Sequence, residues 1–439
     1  LFVARRTKNN KQEIISMANS ADTFTVLAGN FKEVYGDLHN LIPDTAKLMK
    51  LIPFKTKAKI GNEFVEAVKL THEHGITYSA SDNNSGALVT LSTPIPLTLL
   101  DAKVTSSAML LRAQIGYDAF ARAEGGDKVA FKDASELVVE DLLESITKRL
   151  EVSLLYGASP TGIGQVPQNG ATNSSGTITM VFSAAQWATG IWVGSENAQI
   201  DIYNVSTKIN TSAAGVVVTV NPATYTVTAT FAGSGDAAAI ATASASEALQ
   251  VYFTGSFGNE MTGLDAVMLN TGTLWNISAT SYALWSANTY DCGTAALTMG
   301  KLQSAIQAAV QKGLDGDVTV LINPATWANL NTDLAALRRF VEDSTEGELG
   351  VESIKYMYSG GKMDVVAYNL VKQGEAFVFP KKGVNRIGSA DIGFKLPGGD
   401  NGFLHVPDRM GYEFRLFSSQ ALFTPFVAKL VKLTNIVNQ

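Results

Sequence analysis

Few residues in this sequence have the type and spacing that chemistry requires. There are four histidines, His39, His72, His74 and His405, and one cysteine, Cys292. His72-Glu73-His74 is the one cluster worth weighing. On a strand, residues two apart share a face, so the two imidazoles would be aimed at one point. A metal would still need a third ligand, and nothing near in sequence supplies it. Exposed hairpin residues are the expected reading, ahead of a pH-sensing role, which histidine allows because it titrates near neutrality. Cys292 has no partner for a disulfide and one thiol does not make a zinc site, so it reads as a small buried hydrophobe. Asp141 and Glu144 stand three apart and read as a solvated or partner-facing helix stripe rather than a general acid and base. There is no G-x-S-x-G elbow, no complete phosphate loop and no H-E-x-x-H helix. Gly361-Lys362 lacks the upstream spacing and the following hydroxyl residue, and Gly157–Gly164 does not fit G-x-G-x-x-G. The expectation is a non-enzymatic protein with no catalytic residue, no cofactor and no metal.

The bulk numbers point the same way. The chain has 439 residues, long enough for two or three domains. Its 46% hydrophobic content excludes intrinsic disorder. A net charge of −6 argues against a whole-molecule nucleic-acid binder. No apolar run reaches the length of a membrane-spanning helix, and LFVARRTKNNKQ at the start has no hydrophobic signal core. Charged residues are only 17%, against about 25% in an ordinary soluble protein. Such a chain should leave little of its surface permanently facing water.

The elements that would position these residues follow from local pattern. Residues 1–53 read as an extended arm with a basic patch, Arg5, Arg6, Lys8 and Lys11, and about two helical turns over Asp44–Lys50. Residues 55–105 read as a long β-hairpin, with sides Lys55–Leu70 and Ala87–Lys103 and a polar tip, Ser79–Gly86. Pro94 and Pro96 keep it out of a sheet centre. A hairpin this long is not stable alone and must lie on its own subunit or a neighbour. Residues 133–156 give the strongest helix, with Asp133 as N-cap, Glu136 three residues on, a stripe of Val139, Leu142, Leu143, Ile146, Leu150 and Leu154, and Gly157 as stop. Its 24 residues would span roughly 36 Å.

Residues 172–257 are rich in Thr, Val, Ala, Ser and Gly and nearly free of charge, with short strands at Ile200–Tyr203, Val216–Val220 and Tyr225–Phe231. The charge deficit of the whole chain is concentrated here, so this region should either pack on neighbours or present a neutral outer surface. An α/β stretch follows. Thr298 caps a helix Met299–Lys312, with Leu302, Ala305, Ile306, Ala309 and Val310 inward and Gly313 as stop. Strand Val318–Ile322 comes next, and Asn323-Pro324 starts a helix toward Phe340. Glu342–Glu352 is an acidic loop. Val365–Tyr368, Ala376–Phe379, Tyr412–Phe417 and Phe426–Leu433 read as strands.

In this order the pieces resemble a tailed-phage major capsid protein of the Hong Kong 97 phage-type fold. Four segments carry the local likeness: Glu73-His74-Gly75-Ile76-Thr77-Tyr78, the run from Gln186-Trp187 to Gly194, Asn259-Glu260-Met261-Thr262-Gly263-Leu264-Asp265, and Leu284-Trp285. The resemblance implies an α+β chain with an N-terminal arm (1–53), an extended loop (54–104) and a peripheral domain (105–156) whose spine helix is 133–156. It further implies an axial domain (157–404) with 172–257 as an added β-rich insertion, and C-terminal strands (405–439) closing both domains. It implies a structural subunit, in the virion and assembled in the host cytoplasm, that closes into pentamers and hexamers. Portal, scaffolding and decoration proteins would be its partners, with double-stranded DNA held non-specifically on the inner face and no membrane.

Hairpin lysines Lys55, Lys57, Lys59 and Lys69 would meet the acidic half of a neighbour's spine helix, Glu136, Glu140, Asp141 and Glu144. Arg5, Arg6, Lys8 and Lys11 would contact a neighbouring subunit in preference to DNA, since four charges bind DNA weakly at physiological salt. The alternatives are an encapsulin-type compartment shell, which shares the fold, and another virion structural protein such as a tail tube or decoration protein.

Overall fold

The computed structural model describes residues 46–55, 63–78, 90–116, 128–233, 235–332, 354–393, 403–405 and 410–438. They fall in two compact units. The smaller draws on Leu110–Glu144 and Gly393–Phe417; the larger draws on Leu41–Met109, Ser145–Ile392 and Ser418–Gln439. The fold is mixed α/β. No helix among the described residues is long and apolar enough to cross a membrane.

The first element among the described residues is a short helix α1 (Lys47–Leu51), followed by the antiparallel pair β1 (Phe64–Lys69) and β2 (Leu99–Val104), in register from Phe64↔Val104 to Lys69↔Leu99. Strand β3 (Ser107–Gly116) and the long helix α2 (Lys128–Tyr156) come next. Helix α2 has 29 residues and starts before the expected cap. Asp133 lies inside it, because Lys128-Val129-Ala130-Phe131-Lys132 contains good helix formers and no breaker, so a capping signal at Asp133 has no boundary to mark. Leu142, Ile146, Leu150 and Leu154 are buried as expected, whereas Leu143 is 36% exposed. From Leu150 to Tyr156 the helix is buried on every side, including its one acidic residue there, Glu151.

Gly157 ends α2 for a different reason than the one expected. Its φ is not left-handed; Ala158, at φ 53°, takes that conformation. What excludes a side chain at Gly157 is closeness: a Cβ there would lie 2.3 Å from the Met261 carbonyl oxygen and 2.4 Å from that of Ser153.

An eight-stranded sheet then forms from β4 (Gly164–Val166), β5 (Ala171–Ser174), β6 (Thr177–Val181), β7 (Gln199–Asn204), β8 (Thr207–Lys208), β9 (Gly215–Asn221), β10 (Thr226–Phe231) and β11 (Leu249–Phe253). Helix α3 (Thr189–Trp192) and helix α4 (Asp236–Ser246) interrupt it. The strand order is β4-β11-β7-β9-β10-β6-β5, with β8 on β7. Burial alternates along β6 and β10. Ile178, Met180, Val217, Val227 and Ala229 are fully buried. On the other face Thr228 stands opposite both Thr179 and Thr219, and Thr230 opposite Thr177. The near-absence of charge here thus has a concrete form: a threonine-covered sheet face.

After α5 (Leu264–Leu269) and the small ladder β12 (Thr273–Leu274) and β13 (Ile277–Ser278), a six-stranded sheet is built. It contains β14 (Asn288–Ala295), β15 (Val318–Ile322), β16 (Ile354–Tyr358), β17 (Gly361–Ala367), β18 (Ala376–Pro380) and β22 (Val431–Ile436), ordered β14-β22-β18-β15-β17-β16. Helix α6 (Met299–Gln311) is capped by Thr298, whose hydroxyl accepts the Lys301 N–H at 3.4 Å, and Gly313 at φ 92° ends it. Leu302, Ala305, Ile306 and Ala309 pack in one cluster with Val318, Val320 and Ile322, while Leu321 enters the other core. Strand β15 is therefore buried on both faces, which is why its sequence, Val-Thr-Val-Leu-Ile, is apolar but for the buried Thr319. Helix α7 (Pro324–Thr332) begins at Asn323, whose side chain accepts the Ala325 N–H at 2.9 Å. The remainder of the expected helix to Phe340 and the acidic loop 342–352 lie outside the described residues.

A four-stranded sheet joins β19 (Asn385–Gly393), β20 (Phe403–His405) and β21 (Gly411–Phe423) in the order β19-β21-β20, with β3 on β21. The strand expected over Phe426–Leu433 is shorter. Val427–Lys429 forms a 3-10 turn and pairing starts at Val431.

Candidate assembly surface

The hairpin divides into an anchored root and an exposed outer part. At the root, Ala102 and Val104 are buried. Phe64 meets Phe423 edge-on with ring centroids 5.2 Å apart, and the Lys103 N–H donates to the Trp275 carbonyl at 3.0 Å. Beyond Leu70 and Thr98 the two sides leave regular pairing but stay joined. The Thr98 N–H donates to the Thr71 hydroxyl at 2.8 Å, the His74 N–H to the Ile95 carbonyl at 3.2 Å and the Ser92 N–H to the Thr77 hydroxyl at 2.8 Å.

This outer part carries large apolar side chains into solvent. Tyr78 is 89% and Leu91 80% exposed, and Ile76 and Ile95 are also exposed. Several large apolar side chains exposed on one segment are the kind of surface that a partner can cover. His72, Glu73 and His74 are exposed beside it, and among the described residues no group of three or more acidic, histidine or cysteine side chains is arranged to hold a metal. Cys292 is buried and free, and burial raises its thiol above the ordinary range.

Of the charged residues singled out by sequence, Lys55 and Lys69 are exposed in the larger unit, and Asp141 is exposed and Glu144 half-buried in the smaller. Glu136 and Glu140 lie on α2, but their side chains are outside the described residues, as are Lys57, Lys59 and the basic patch Arg5, Arg6, Lys8 and Lys11. In the smaller unit Glu413 accepts from Arg415 and, at 3.0 Å, from Gln114, and these donors hold its carboxyl below the usual range.

Sequence reasoning missed the way the hairpin's lead-in segment is held. Glu151 on α2 accepts the Leu48 N–H at 3.0 Å and the Met49 N–H at 2.6 Å, and also the Tyr368 hydroxyl. Arg386 donates from Nε to the Ile52 carbonyl at 2.9 Å, and its backbone bonds both Pro53 and Lys55. Residues 46–55 are thereby tied to the core just before the hairpin starts. Burial pushes the Glu151 carboxyl up to about 7, against the opposing pull of Tyr368, the Met49 and Leu48 amides and Arg386.

Three of the four segments that carried the family likeness are anchored in the core, the exception being the exposed Glu73–Tyr78. Trp187 and Trp192 stack with centroids 6.3 Å apart, beside Phe182. Trp285 is fully buried and donates to the Leu274 carbonyl at 2.9 Å. In the 259–265 run the Gly263 N–H donates to the Gly157 carbonyl at 2.8 Å, and Glu260 accepts the Ser153 hydroxyl at 3.0 Å.

No family model matches the sequence, and no curated protein matches it significantly. Solved structures do match in three dimensions. The capsid asymmetric unit of Cyanophage A-1(L) aligns with 92% of this chain and 96% of its own, at TM-score 0.52 and 11% identity. The capsid of a native GTA particle aligns over 92% and 95% at TM-score 0.47 and 8% identity. The SrpI encapsulin of Synechococcus elongatus aligns over 94% and 95% at TM-score 0.42 and 11% identity. The cyanophage alignment takes in nearly the whole of both chains, and the fold of this protein is that of a phage capsid subunit.

Proposed function

We propose that this chain is the structural subunit that self-assembles into the icosahedral head shell enclosing the genome of a tailed DNA phage. The observation that carries this reading is the near-complete alignment with the cyanophage capsid subunit, in a chain whose hairpin exposes apolar side chains such as Tyr78 and Leu91. A solitary monomer has no use for that surface, whereas a shell subunit covers it with a neighbour.

In this reading residues 1–53 are the arm, 54–104 the extended loop and 105–156 the peripheral domain, with α2 as its spine. Residues 157–404 are the axial domain, 172–257 its β-rich insertion, and 405–439 close both. The loop lies over the adjacent subunit in rings of five and six, and Lys55, Lys57, Lys59 and Lys69 face Glu136, Glu140, Asp141 and Glu144 of that neighbour. Each exposed pair contributes only about 0–1 kcal/mol, so these charges set register more than strength. Arg5, Arg6, Lys8 and Lys11 contact a neighbouring subunit. The threonine face of the insertion is the neutral surface that the low charge content requires. Portal, scaffolding and decoration proteins and non-specifically held double-stranded DNA complete the particle, which is assembled in the host cytoplasm.

Electron microscopy of the purified chain tests the proposal. Closed icosahedral shells are the expected result; tubes or a persistent monomer overturn it. DNA inside particles from infected cells separates a phage head from an encapsulin-type compartment.

A further inference from the structure

The eight-stranded sheet has two unlike faces. One is covered: Ile178, Met180, Val227 and Ala229 are fully buried, and the Ala171 N–H donates to the Ser244 hydroxyl of α4 at 3.0 Å. The other is open among the described residues. Across β5, β6, β10 and β9 the facing residues form one row, Thr172, Thr179, Thr228 and Thr219. Two residues along the strands, Ser174, Thr177 and Thr230 form a second row. Thr172, Thr219 and Thr230 are exposed, and Thr177, Thr179 and Thr228 are half-buried.

Among the described residues these threonine hydroxyls have no protein hydrogen-bond partner, so each keeps one donor and two acceptor positions open. Threonine is stiff at its first side-chain torsion, so the grid is set before anything binds. At sheet spacings the hydroxyls repeat about every 4.8 Å across the strands and about every 6.8 Å along them. The four strands contain no charged residue, and the one aromatic ring among them, Phe231, is buried on the covered side.

These features select the ligand. Nucleic acids and acidic glycans carry phosphate, carboxylate or sulfate, which proteins hold through Lys and Arg, and the grid offers neither. A stable protein partner, a second copy included, needs an anchoring side chain and about 800 Å² on each side. Four strands by two rows cover less than about 300 Å². A neutral polyhydroxyl chain fits: its hydroxyls exchange donors and acceptors with the threonine hydroxyls, and its C–H groups rest on the threonine methyls. With no ring to stack on, one sugar unit is held weakly, and attachment comes from many units engaging many copies at once.

We propose that the threonine grid is a binding site for uncharged polysaccharide. The inference rests on the shell reading for its strength, because a particle presents the grid in many copies. No ion pair takes part, so salt does not weaken the contact.

Full-length chain coupled densely to beads is the test, since the bead supplies many copies whether or not the chain forms shells. The probes are labelled dextran, galactomannan and laminarin, with dextran sulfate as the charged comparison. At least one neutral polymer should be retained, equally at low and high salt, and released by the same polymer unlabelled. Thr179→Val combined with Thr228→Val keeps the branched shape and removes two hydroxyls at the centre of the grid, and should lower retention about tenfold or more. Thr228→Lys should also lose the neutral polymer; if that variant does not fold, the valine pair decides. Retention of none of the neutral polymers, retention unchanged in the valine variant, or stronger retention of dextran sulfate overturns the proposal. Closed shells in the microscope with no retention overturn the grid alone, and retention by a chain that forms no shells overturns the shell reading alone.

Discussion

The carboxylate of Glu151, deep on helix α2, accepts the backbone N–H of Leu48 at 3.0 Å across 103 residues of chain. With the Met49 amide and the Tyr368 hydroxyl it forms the clamp that holds residues 46–55 on the core before the hairpin begins. Glu151→Ala should leave the Leu48 and Met49 amides without their acceptor, at about 1–3 kcal/mol for each buried group orphaned. Denaturant unfolding reads that loss, and faster hydrogen exchange at Leu48 and Met49 localises it.

The same residue predicts a pH dependence. Burial raises the Glu151 carboxyl to about 7 in the folded chain, above the ordinary glutamate value of about 4.3. The folded state therefore holds this proton more tightly than the unfolded state. Its contribution to stability is greatest below about 4.3 and declines as pH rises to about 7. Glu260, also raised by burial, acts in the same direction. Unfolding midpoints measured between those limits should fall with rising pH, and Glu151→Gln should flatten the slope. An equally steep slope in the variant would remove Glu151 as the cause.

Two glycines should respond oppositely to alanine. At Gly157 the new Cβ meets the Met261 and Ser153 carbonyls, neither of which is a movable side-chain end, so Gly157→Ala should cost about 3 kcal/mol or more. At Gly235 nothing lies within 4 Å and the backbone is already right-handed. Gly235→Ala should be neutral or stabilise by about 0.4–1 kcal/mol through the unfolded chain. Thermal melts of the two variants side by side check both signs.

The apolar outer hairpin should matter to assembly and not to subunit stability. Replacing Tyr78 and Leu91 by serine removes two side chains that are mostly in solvent. The unfolding midpoint of the unassembled subunit should stay within about 0.5 kcal/mol of wild type, as for surface changes in general. Particle yield by sedimentation should drop severalfold.

On the proposed contact with a neighbour's acidic helix, charge reversal at Lys57 and Lys59 to glutamate should also lower particle yield, since it would replace attraction with repulsion. A normal yield from this double variant would show that the hairpin is positioned by its apolar contacts alone.

What the sequence determined by itself is what local periodicity and capping encode. Strand Val318–Ile322 and the Thr298-capped helix were legible to the residue or nearly so, because an apolar run, a cap and a glycine stop act within a few positions. The low charge was legible too, as was its concentration in 172–257. Tertiary structure decided what that deficit means: Asp201 and Asp236 are buried hydrogen-bond acceptors, and threonines pair across one face of the sheet. It also decided the role of Gly157, since sequence marks a helix end but cannot show that the Met261 carbonyl arrives beside it. The Glu151 clamp was invisible beforehand for the same reason. Its members are far apart in sequence, and a lone glutamate in a helix reads as solvated until folding removes the water around it.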